Sequence, residues 1–237
     1  MQEIKPDKIW YYFSESLPYL KVTVVYVLVS LVFGFLIGAL VAKGRMSKNQ
    51  IANTIAGIYL TITRCTPSIV LLFLVFYGLP AILYDSFGID INNLDTIIFV
   101  CITFSIFLGA SSSEIIRGSY EAISKGQFEA GLSVGLSETQ VFIRIILPQM
   151  LRIAIPNIGN MVIFMIKEGA LAYTIGLRDV LGQAYFLSAG EFNAYSLSMY
   201  IALALIYWPI TIILERLFAW LEVKLTPARR KEAEVEH

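Results

Sequence analysis

Between two long apolar runs lies the polar stretch Gly126-Gln-Phe-Glu-Ala-Gly-Leu-Ser-Val-Gly135, followed after nine residues by Ile145-Ile-Leu-Pro148. It interrupts a chain that is otherwise dominated by segments apolar enough to lie in a lipid bilayer. A polar interruption of this length has to leave the membrane, and its helical patterning predicts a folded helix-turn-helix outside it. We therefore interpret this stretch as a docking site for another protein.

Composition places the rest of the chain in a membrane. Apolar residues make up 57% of the sequence and charged residues 15%, and the mean hydropathy is +0.70. These values are typical of an integral membrane protein. The net charge is zero and the charges cluster at the ends of apolar runs, so the basic face that nucleic-acid binding requires is absent. We predict a lipid bilayer as a partner and no nucleic acid.

Residue types that catalyse reactions or bind metals are scarce. The only histidine is His237, the last residue, which leaves zinc chemistry and Ser/His/Asp or Cys/His catalysis without an obvious member. Cys65 and Cys101 lie within or beside apolar segments, where thiols most often serve packing. No G-x-x-x-x-G-K-[ST] phosphate loop occurs, so any ATP chemistry must come from another polypeptide. We predict no catalytic residue, no metal site and no cofactor bound by this chain.

Five apolar runs are long enough to cross the hydrocarbon core, which takes about 20 residues as a helix. They extend over residues 20–42, 55–83, 96–117, 156–177 and 197–221. The second run contains Arg64 and Pro67, which leaves two alternatives open. It is either a kinked span, or a short amphipathic piece on the cytoplasmic side followed by a span that starts near Pro67. The pattern predicts an all-α membrane protein with a single transmembrane domain over residues 1–237.

Lysines and arginines in the short loops set the orientation, because these residues resist translocation. The bases that mark the inner side are Lys43, Arg45, Lys48, Lys125, Arg144, Arg152, Lys224, Arg229, Arg230 and Lys231. We therefore predict an extracytoplasmic N-terminal segment over residues 1–19, a cytoplasmic loop over 119–152, hereafter the polar loop, and a cytoplasmic tail over 222–237. Residues 1–18 lack the pattern of a cleavable signal peptide, so we expect an ordered segment there.

Two short helix patterns form the polar loop, separated by Gly135, a residue type that readily adopts the left-handed conformation that often ends a helix. Ser137 and Gln140 have the spacing of a capping box, and Pro148 is expected to end the second helix, because it has no amide to donate. The apolar face of the second helix comprises Val141, Phe142, Ile145 and Ile146. The residues predict a helix-turn-helix. On pattern alone, a hairpin that rests on lipid headgroups explains it equally well.

The polar loop resembles the EAA loop of bacterial ABC importer permeases, which reads Glu-Ala-Ala, then Gly, then Ile-x-Leu-Pro. The positions that the resemblance assigns to ATPase docking are Glu129, Ala130, Gly131, Gly135, Ile145, Leu147 and Pro148. Gly131 replaces the family's alanine, which is expected to loosen the helix by about 1 kcal/mol at most. The resemblance implies the type I ABC importer permease fold, in which the polar loop is a coupling loop seated in a cleft of a cytoplasmic ATPase.

The resemblance covers most of the chain and is closest to permeases for polar amino acids. It rests on Arg64-Cys-Thr-Pro67, Tyr77-Gly-Leu-Pro80, Ser113-Glu-Ile-Ile-Arg-Gly118, Gly126-Gln127, Leu147-Pro-Gln149 and Lys167-Glu168. Cys65 replaces the family's glycine, and Gly169-Ala170 replaces the Thr-Ser that follows the charged pair. The resemblance implies the bacterial cytoplasmic membrane, ATP-binding subunits that hold ATP and Mg, an extracytoplasmic solute-binding protein, and a second permease subunit that is either another copy or a homologue.

Lys167 and Glu168 lie about midway along the fourth span, where an ionised side chain costs at least about 2.5 to 3.5 kcal/mol. Adjacent residues on a helix do not face each other, so each needs a separate partner. The carboxylate and ammonium of an amino acid would suit, and an interhelical ion pair or a gate explains the residues equally well. Arg64 could also bind a carboxylate, although a structural role is favoured. The candidates for the substrate pathway are Arg64, Thr66, Asn160, Lys167 and Glu168.

Two further patterns predict packing rather than transport. Glu114 and Arg117 lie three residues apart near the inner end of the third span, which favours a local ion pair that anchors the polar loop. Gly34 and Gly38 have the G-x-x-x-G spacing that permits close helix approach. We expect this motif to pack two spans of the same chain, with a subunit contact as the alternative.

The preferred function is the transmembrane subunit of an ATP-driven importer that carries a polar amino acid by alternating access. Cystine, histidine, arginine, glutamine and glutamate all fit a site with one buried cation and one buried anion, and residues 203–208 are most similar to cystine permeases. The alternative is a stand-alone ion-coupled secondary transporter or channel that uses the charges within the membrane. A membrane enzyme is the weakest alternative, because the sequence shows no catalytic constellation.

Overall fold

The computed structural model describes residues 4–225, and every regular element in this range is helical. The helices are α1 (Pro6–Ser16), α2 (Leu20–Arg45), α3 (Gln50–Cys65), α4 (Ser68–Phe73), α5 (Leu79–Phe87), α6 (Thr96–Glu121), α7 (Lys125–Ser133), α8 (Glu138–Val141), α9 (Leu147–Gly169), α10 (Val180–Gly190) and α11 (Ser196–Leu225). Two 3-10 segments, Leu17–Tyr19 and Ala170–Ile175, and two π turns, Leu74–Gly78 and Phe142–Ile146, connect some of them. The all-α prediction is confirmed. His237 and residues 226–237 of the predicted tail lie outside the described residues, as do residues 1–3.

Within residues 4–225, five helical segments are long and apolar enough to cross a membrane, which confirms the predicted number. They are Pro6–Arg45, Ser68–Phe87, Thr96–Glu121, Glu138–Ile175 and Ser196–Leu225. The second begins directly after Pro67, because a proline has no amide with which to continue the hydrogen bonding of α3. Of the two alternatives for this region, the span that starts near Pro67 is the observed one. The fourth segment begins well before the predicted residue 156.

The G-x-x-x-G motif packs α2 against α6, as expected for a contact within the chain. A side chain at Gly34 would place its Cβ 2.6 Å from the Cβ of Leu108, so only glycine fits between the two helices here. A Cβ at Gly38 would lie 2.0 Å from the hydroxyl oxygen of Ser112, and this hydroxyl donates a 2.9 Å hydrogen bond to the carbonyl of Gly34. The pair α2 and α6 therefore forms the closely packed centre of the bundle.

The main core joins this pair to the far end of α9. Tyr26 is fully buried and stacks on Phe104 with 6.3 Å between ring centroids. Gly169 leaves room for the Tyr26 ring, since a Cβ at Gly169 would lie 2.5 Å from the hydroxyl oxygen. Leu108 and Met165 complete the contact between α6 and α9. These contacts hold the end of α9 in place and so determine the positions of Lys167 and Glu168.

A second core holds α1 and α10 against α11 at the end of the bundle opposite the polar loop. Glu191 accepts hydrogen bonds from Lys8 and, at 2.9 Å, from the Tyr12 hydroxyl. The hydrogen bond from Lys8 holds the pKa of the Glu191 carboxyl below its usual range. The sequence did not predict α10. Its signal is Asp179, an N-cap that accepts from the amide of Gly182 at 2.9 Å.

Candidate functional site

The turn of the polar loop has the predicted local geometry. Gly135 has φ = +85°, the left-handed conformation that ends α7. The Ser137 amide donates to the Gln140 side chain at 2.9 Å, and the Gln140 amide donates to the Ser137 hydroxyl at 3.3 Å. The capping box is confirmed. Because these bonds are made within six residues, the turn is specified locally and holds α7 and α8 at a fixed angle.

The prediction that Pro148 ends the second helix is wrong. The helical path continues from Glu138 through the π turn at Phe142–Ile146 into α9, which runs to Gly169. Pro148 lies in the first turn of α9, directly after this π turn. The π turn makes room for the missing donor, and the Gln149 side chain donates to the Ile145 carbonyl at 2.8 Å. One continuous helical rod therefore links the polar loop to Lys167 and Glu168.

The inner face of the polar loop packs on the inner end of the bundle. Val141 and Ile146 are fully buried and contact Ile116 of α6, whereas Phe142, predicted on the same face, is exposed. Gly131 is buried in this core, and a Cβ there would lie 2.7 Å from a methyl group of Val141. Glycine at this position is therefore required for the close approach of α7 to α8.

The outer face of the polar loop is exposed and partly apolar. Glu129 and Ala130 are exposed, and no side-chain hydrogen bond or ion pair of Glu129 occurs within residues 4–225. Leu132 is 40% and Val134 78% exposed, although both are apolar. Exposed apolar side chains beside an unpaired carboxylate are typical of a protein contact surface. Of the predicted docking residues, Glu129, Ala130, Gly135 and Pro148 lie on the surface, whereas Gly131, Ile145 and Leu147 lie wholly or partly inside.

The predicted ion pair forms within α6. Arg117 contacts Glu114 at 2.7 Å, and the same guanidinium reaches Glu121 at 2.6 Å. All three residues belong to the last turns of α6, directly before the polar loop. Since the charges satisfy each other along one helix face, they support the base of the loop and leave its outer face free.

The structure places the substrate-pathway candidates in three different locations. Glu168 accepts a hydrogen bond from the hydroxyl of Ser68, close in sequence to Thr66. The Thr66 hydroxyl itself donates to the carbonyl of Ile62 at 2.7 Å, so its hydrogen is engaged locally. Arg64 lines a different cavity, which it shares with Arg45 and Glu114. Sequence reasoning missed Ser68, because only the fold brings residues 68 and 168 together.

Lys167 and Asn160 belong to an exposed stripe along α9. The exposed residues at this helical spacing are Ile153, Asn157, Asn160, Phe164 and Lys167. The described part of the chain supplies no side-chain partner for Lys167. Amide and ammonium groups on the surface of a membrane-spanning helix are costly in contact with lipid. This stripe therefore requires a polar neighbour or a water-filled cavity. Asn157, one turn before Asn160, is a member that the sequence reasoning did not single out.

Known proteins resemble this chain over most of its length. The family model described as binding-protein-dependent transport system inner membrane component matches residues 34–227. The L-cystine transport system permease protein TcyL of Bacillus subtilis (strain 168) is 40% identical over 207 residues, which cover 87% of this chain and 85% of that protein. The probable amino-acid ABC transporter permease protein PatM of Vibrio harveyi is 35% identical, with 92% and 96% covered.

Solved structures show the same architecture. A crystal structure of an amino acid ABC transporter with histidines has a chain that superposes with a TM-score of 0.80 at 26% identity, covering 94% of this chain and 99% of that one. An inward-facing structure of the MetNI methionine ABC transporter superposes with a TM-score of 0.69 at 17% identity, covering 94% and 100%. The second likeness concerns the fold alone.

Proposed function

Because the chain belongs to the family of binding-protein-dependent transport system inner membrane components, it is the transmembrane subunit of an ABC importer, and we propose that it carries a polar amino acid. Cystine is the first candidate, because a relative that is 40% identical over 87% of this chain is an L-cystine permease. That identity is the observation that carries the proposal. The polar stripe on α9 supports it, since an amino acid offers a carboxylate to Lys167 and an ammonium to Glu168.

The fold is that of type I ABC importer permeases, and the chain is a multi-pass protein of the bacterial inner membrane that is not itself the ATPase. The N-terminus lies outside and the C-terminus inside in our proposal, since the basic residues after α2 and in the polar loop then face the cytoplasm. ATP and Mg are bound by separate ATP-binding subunits, which supply the energy for transport. This orientation puts the polar loop where those subunits are.

The exposed face of α7 is the proposed contact with an ATP-binding subunit. Glu129 supplies an unpaired carboxylate, and Leu132 and Val134 supply apolar area that water does not favour. The buried face fixes α7 on α8 through Gly131 and Val141. Motion of the ATP-binding subunit is therefore transmitted to the rod formed by α8, the π turn and α9.

The far end of this rod carries Lys167 and Glu168. A small rotation at the polar loop changes the direction in which the stripe of Asn160 and Lys167 faces, because the helical path is unbroken from Glu138 to Gly169. The stripe faces a second permease subunit or the cavity between the two subunits, and that subunit is a second copy or a homologue. A solute-binding protein delivers the amino acid at the opposite, extracytoplasmic end.

The test is uptake of labelled cystine, histidine, arginine, glutamine and glutamate by cells with and without the gene. The assay is repeated after cellular ATP is drained while the proton gradient is maintained. We expect gene-dependent uptake of one compound, cystine first, that stops when ATP is drained. Gene-dependent uptake confined to compounds outside this group would overturn the substrate proposal. Uptake that continues on the gradient alone would favour the ion-coupled alternative.

A further inference from the structure

A cavity of about 700 Å³ with a mixed polar and apolar lining lies between the end of α2, α3 and the second half of α6. Its charged lining residues are Arg45, Arg64 and Glu114. Neither Ser68 nor Glu168 lines it, so the hydrogen bond between these two residues does not occupy it. Arg45 is the last residue of α2, which puts the cavity at the level where a span leaves the hydrocarbon.

The guanidinium of Arg45 is held in place on the wall of this cavity. Its Nη1 donates to the Asn53 side-chain oxygen at 2.8 Å, and the Asn53 amide donates to the Arg45 carbonyl, also at 2.8 Å. Gly57 provides the space, since a Cβ there would lie 3.3 Å from Nη1. The Nε of Arg45 is buried and has no hydrogen-bond partner within the described residues. The N–H group at Nε of Arg45 therefore still has a hydrogen bond to donate.

Glu114 offsets the positive charge of the cavity only in part, because its single carboxylate interacts electrostatically with both Arg64 and Arg45. Both carboxylate oxygens of Glu114 accept from Arg117, at 2.7 and 3.3 Å. Across residues 4–225, no carboxylate lies within 4.0 Å of the guanidinium of Arg45 or Arg64. The two arginines are therefore available to a ligand that carries negative charge.

An exposed isoleucine stripe is continuous with the cavity. Its members are Ile51, Ile55, Ile58 and Ile62, which are 54% to 71% exposed. They follow each other at intervals of four, three and four residues, so they lie in one line along α3. Ile58 and Ile62 also line the cavity. The cavity with Arg45 and Arg64 and the isoleucine stripe beside it together form one amphiphilic surface.

We propose that this surface binds one anionic phospholipid, with the phosphate at Arg45 and Arg64 and an acyl chain along the isoleucine stripe. Basic pockets between membrane helices favour anionic headgroups, and the isoleucines match the rest of such a molecule. A free carboxylate or phosphate would use the arginines and leave the stripe bare. The inference depends on the membrane setting and not on which amino acid is transported.

The test is native mass spectrometry of the full chain in detergent, titrated with phosphatidylglycerol or with phosphatidylcholine of the same acyl chains. We expect preferential binding of one phosphatidylglycerol. The double variant Arg45→Gln, Arg64→Gln should bind it about 25-fold more weakly, since each basic side chain beside an anionic lipid contributes about fivefold. The matched control is Lys43→Gln, Lys48→Gln, which removes the same charge nearby without changing the cavity lining. Equal loss in both double variants, or no preference over phosphatidylcholine, would overturn the proposal.

Two further arms keep the test decisive if the arginine variant folds poorly. The double variant Ile51→Ser, Ile55→Ser leaves every residue that lines the cavity in place. We expect it to weaken phosphatidylglycerol binding, because the acyl chain loses apolar contact with the isoleucine stripe. Undiminished binding would contradict the proposal. Millimolar inorganic phosphate or cystine should leave the bound lipid in place. Displacement by either compound would show that the cavity takes a soluble oxyanion instead.

Discussion

The two ends of the rod formed by α8, the π turn and α9 satisfy their polar groups in different ways. At the polar loop, Ser137 and Gln140 bond to each other, and Val141 is fully buried. At the other end, Glu168 is held by one hydroxyl from α4, and Lys167 is exposed without a side-chain partner in the part of the chain that the structure describes. Ser137 and Gln140 at the polar loop are satisfied within the described residues, whereas Lys167 at the other end is not.

This difference indicates where the chain depends on other molecules. The polar loop is a finished structural unit with an open outer face, which suits reversible docking with little change of shape. The end with Lys167 and Glu168 needs additional charge or water, because ionised groups within a membrane are costly without partners. In our proposal, a second permease subunit, the substrate or both supply these partners.

The largest expected effect comes from Glu168→Gln, which removes the charge and keeps an oxygen that can accept from Ser68. If the carboxylate meets the ammonium of a substrate, loss of the charge should lower uptake on the order of 100-fold. Association with ATP-binding subunits, measured by co-purification, should not change, because the polar loop is untouched. Measuring uptake and co-purification on the same variant therefore distinguishes a defect at Glu168 from a defect at the polar loop.

Ser68→Ala is the matched control for this variant. It removes the hydroxyl and keeps the charge, so we expect a loss of only about 0.5 to 1.5 kcal/mol, roughly a twofold to twelvefold change in uptake. Equal effects of the two substitutions would show that the hydrogen bond matters and the charge does not. Glu168 would then be a structural residue, and the proposed ligand contact would fail.

A different result is expected for Gly131→Leu, which should lower association and uptake together. A Cβ at this position already lies 2.7 Å from Val141, and overpacking of this kind costs about 1 to 3 kcal/mol. We expect α7 to be displaced, co-purification with ATP-binding subunits to fall about tenfold, and uptake to fall with it. Gly126→Ala is the control, since a Cβ at Gly126 meets its nearest atom at 3.6 Å. Normal assembly of the leucine variant would show that the inner packing of the loop tolerates change.

The same contrast explains which features could be predicted from the sequence. The left-handed Gly135 and the capping box depend on residues within one turn, and both are present as predicted. Glu114 and Arg117 also lie on one helix, and their ion pair forms. Local chemistry decides these features, so the order of residues is sufficient information.

Features that depend on distant contacts were missed or wrong. Pro148 was expected to stop a helix, but the π turn before it removes the need for its amide, and burial of Ile146 favours a continuous path. The contact between Ser68 and Glu168 joins residues one hundred positions apart. The separation of Arg64 from Glu168 likewise follows from how α3 packs and not from any motif.

A smaller effect is expected for Gly135→Val, which tests how far the local turn governs the docking end. The residue has φ = +85°, a conformation that costs a non-glycine residue about 1 to 2 kcal/mol and a β-branched one at least as much. We expect ATP hydrolysis by the complex to continue with less uptake per ATP, because the angle between α7 and α8 shifts. Gly135→Asn is the control, since asparagine tolerates this conformation. An unchanged ratio of uptake to hydrolysis for valine would show that this angle does not control coupling.

The smallest effect is expected for Glu129→Ala, because this side chain is exposed and makes no hydrogen bond or ion pair within residues 4–225. Its loss should leave the melting temperature unchanged and weaken association with ATP-binding subunits by about fivefold, the usual scale for one partly exposed charge at an interface. Raising the salt concentration should reduce the difference between the two proteins, because screening weakens such a charge. Glu138→Ala, at the first turn of α8, removes an equally exposed carboxylate outside the proposed contact. Equal losses for the two variants would mean that the docking face responds to net charge and not to Glu129 itself.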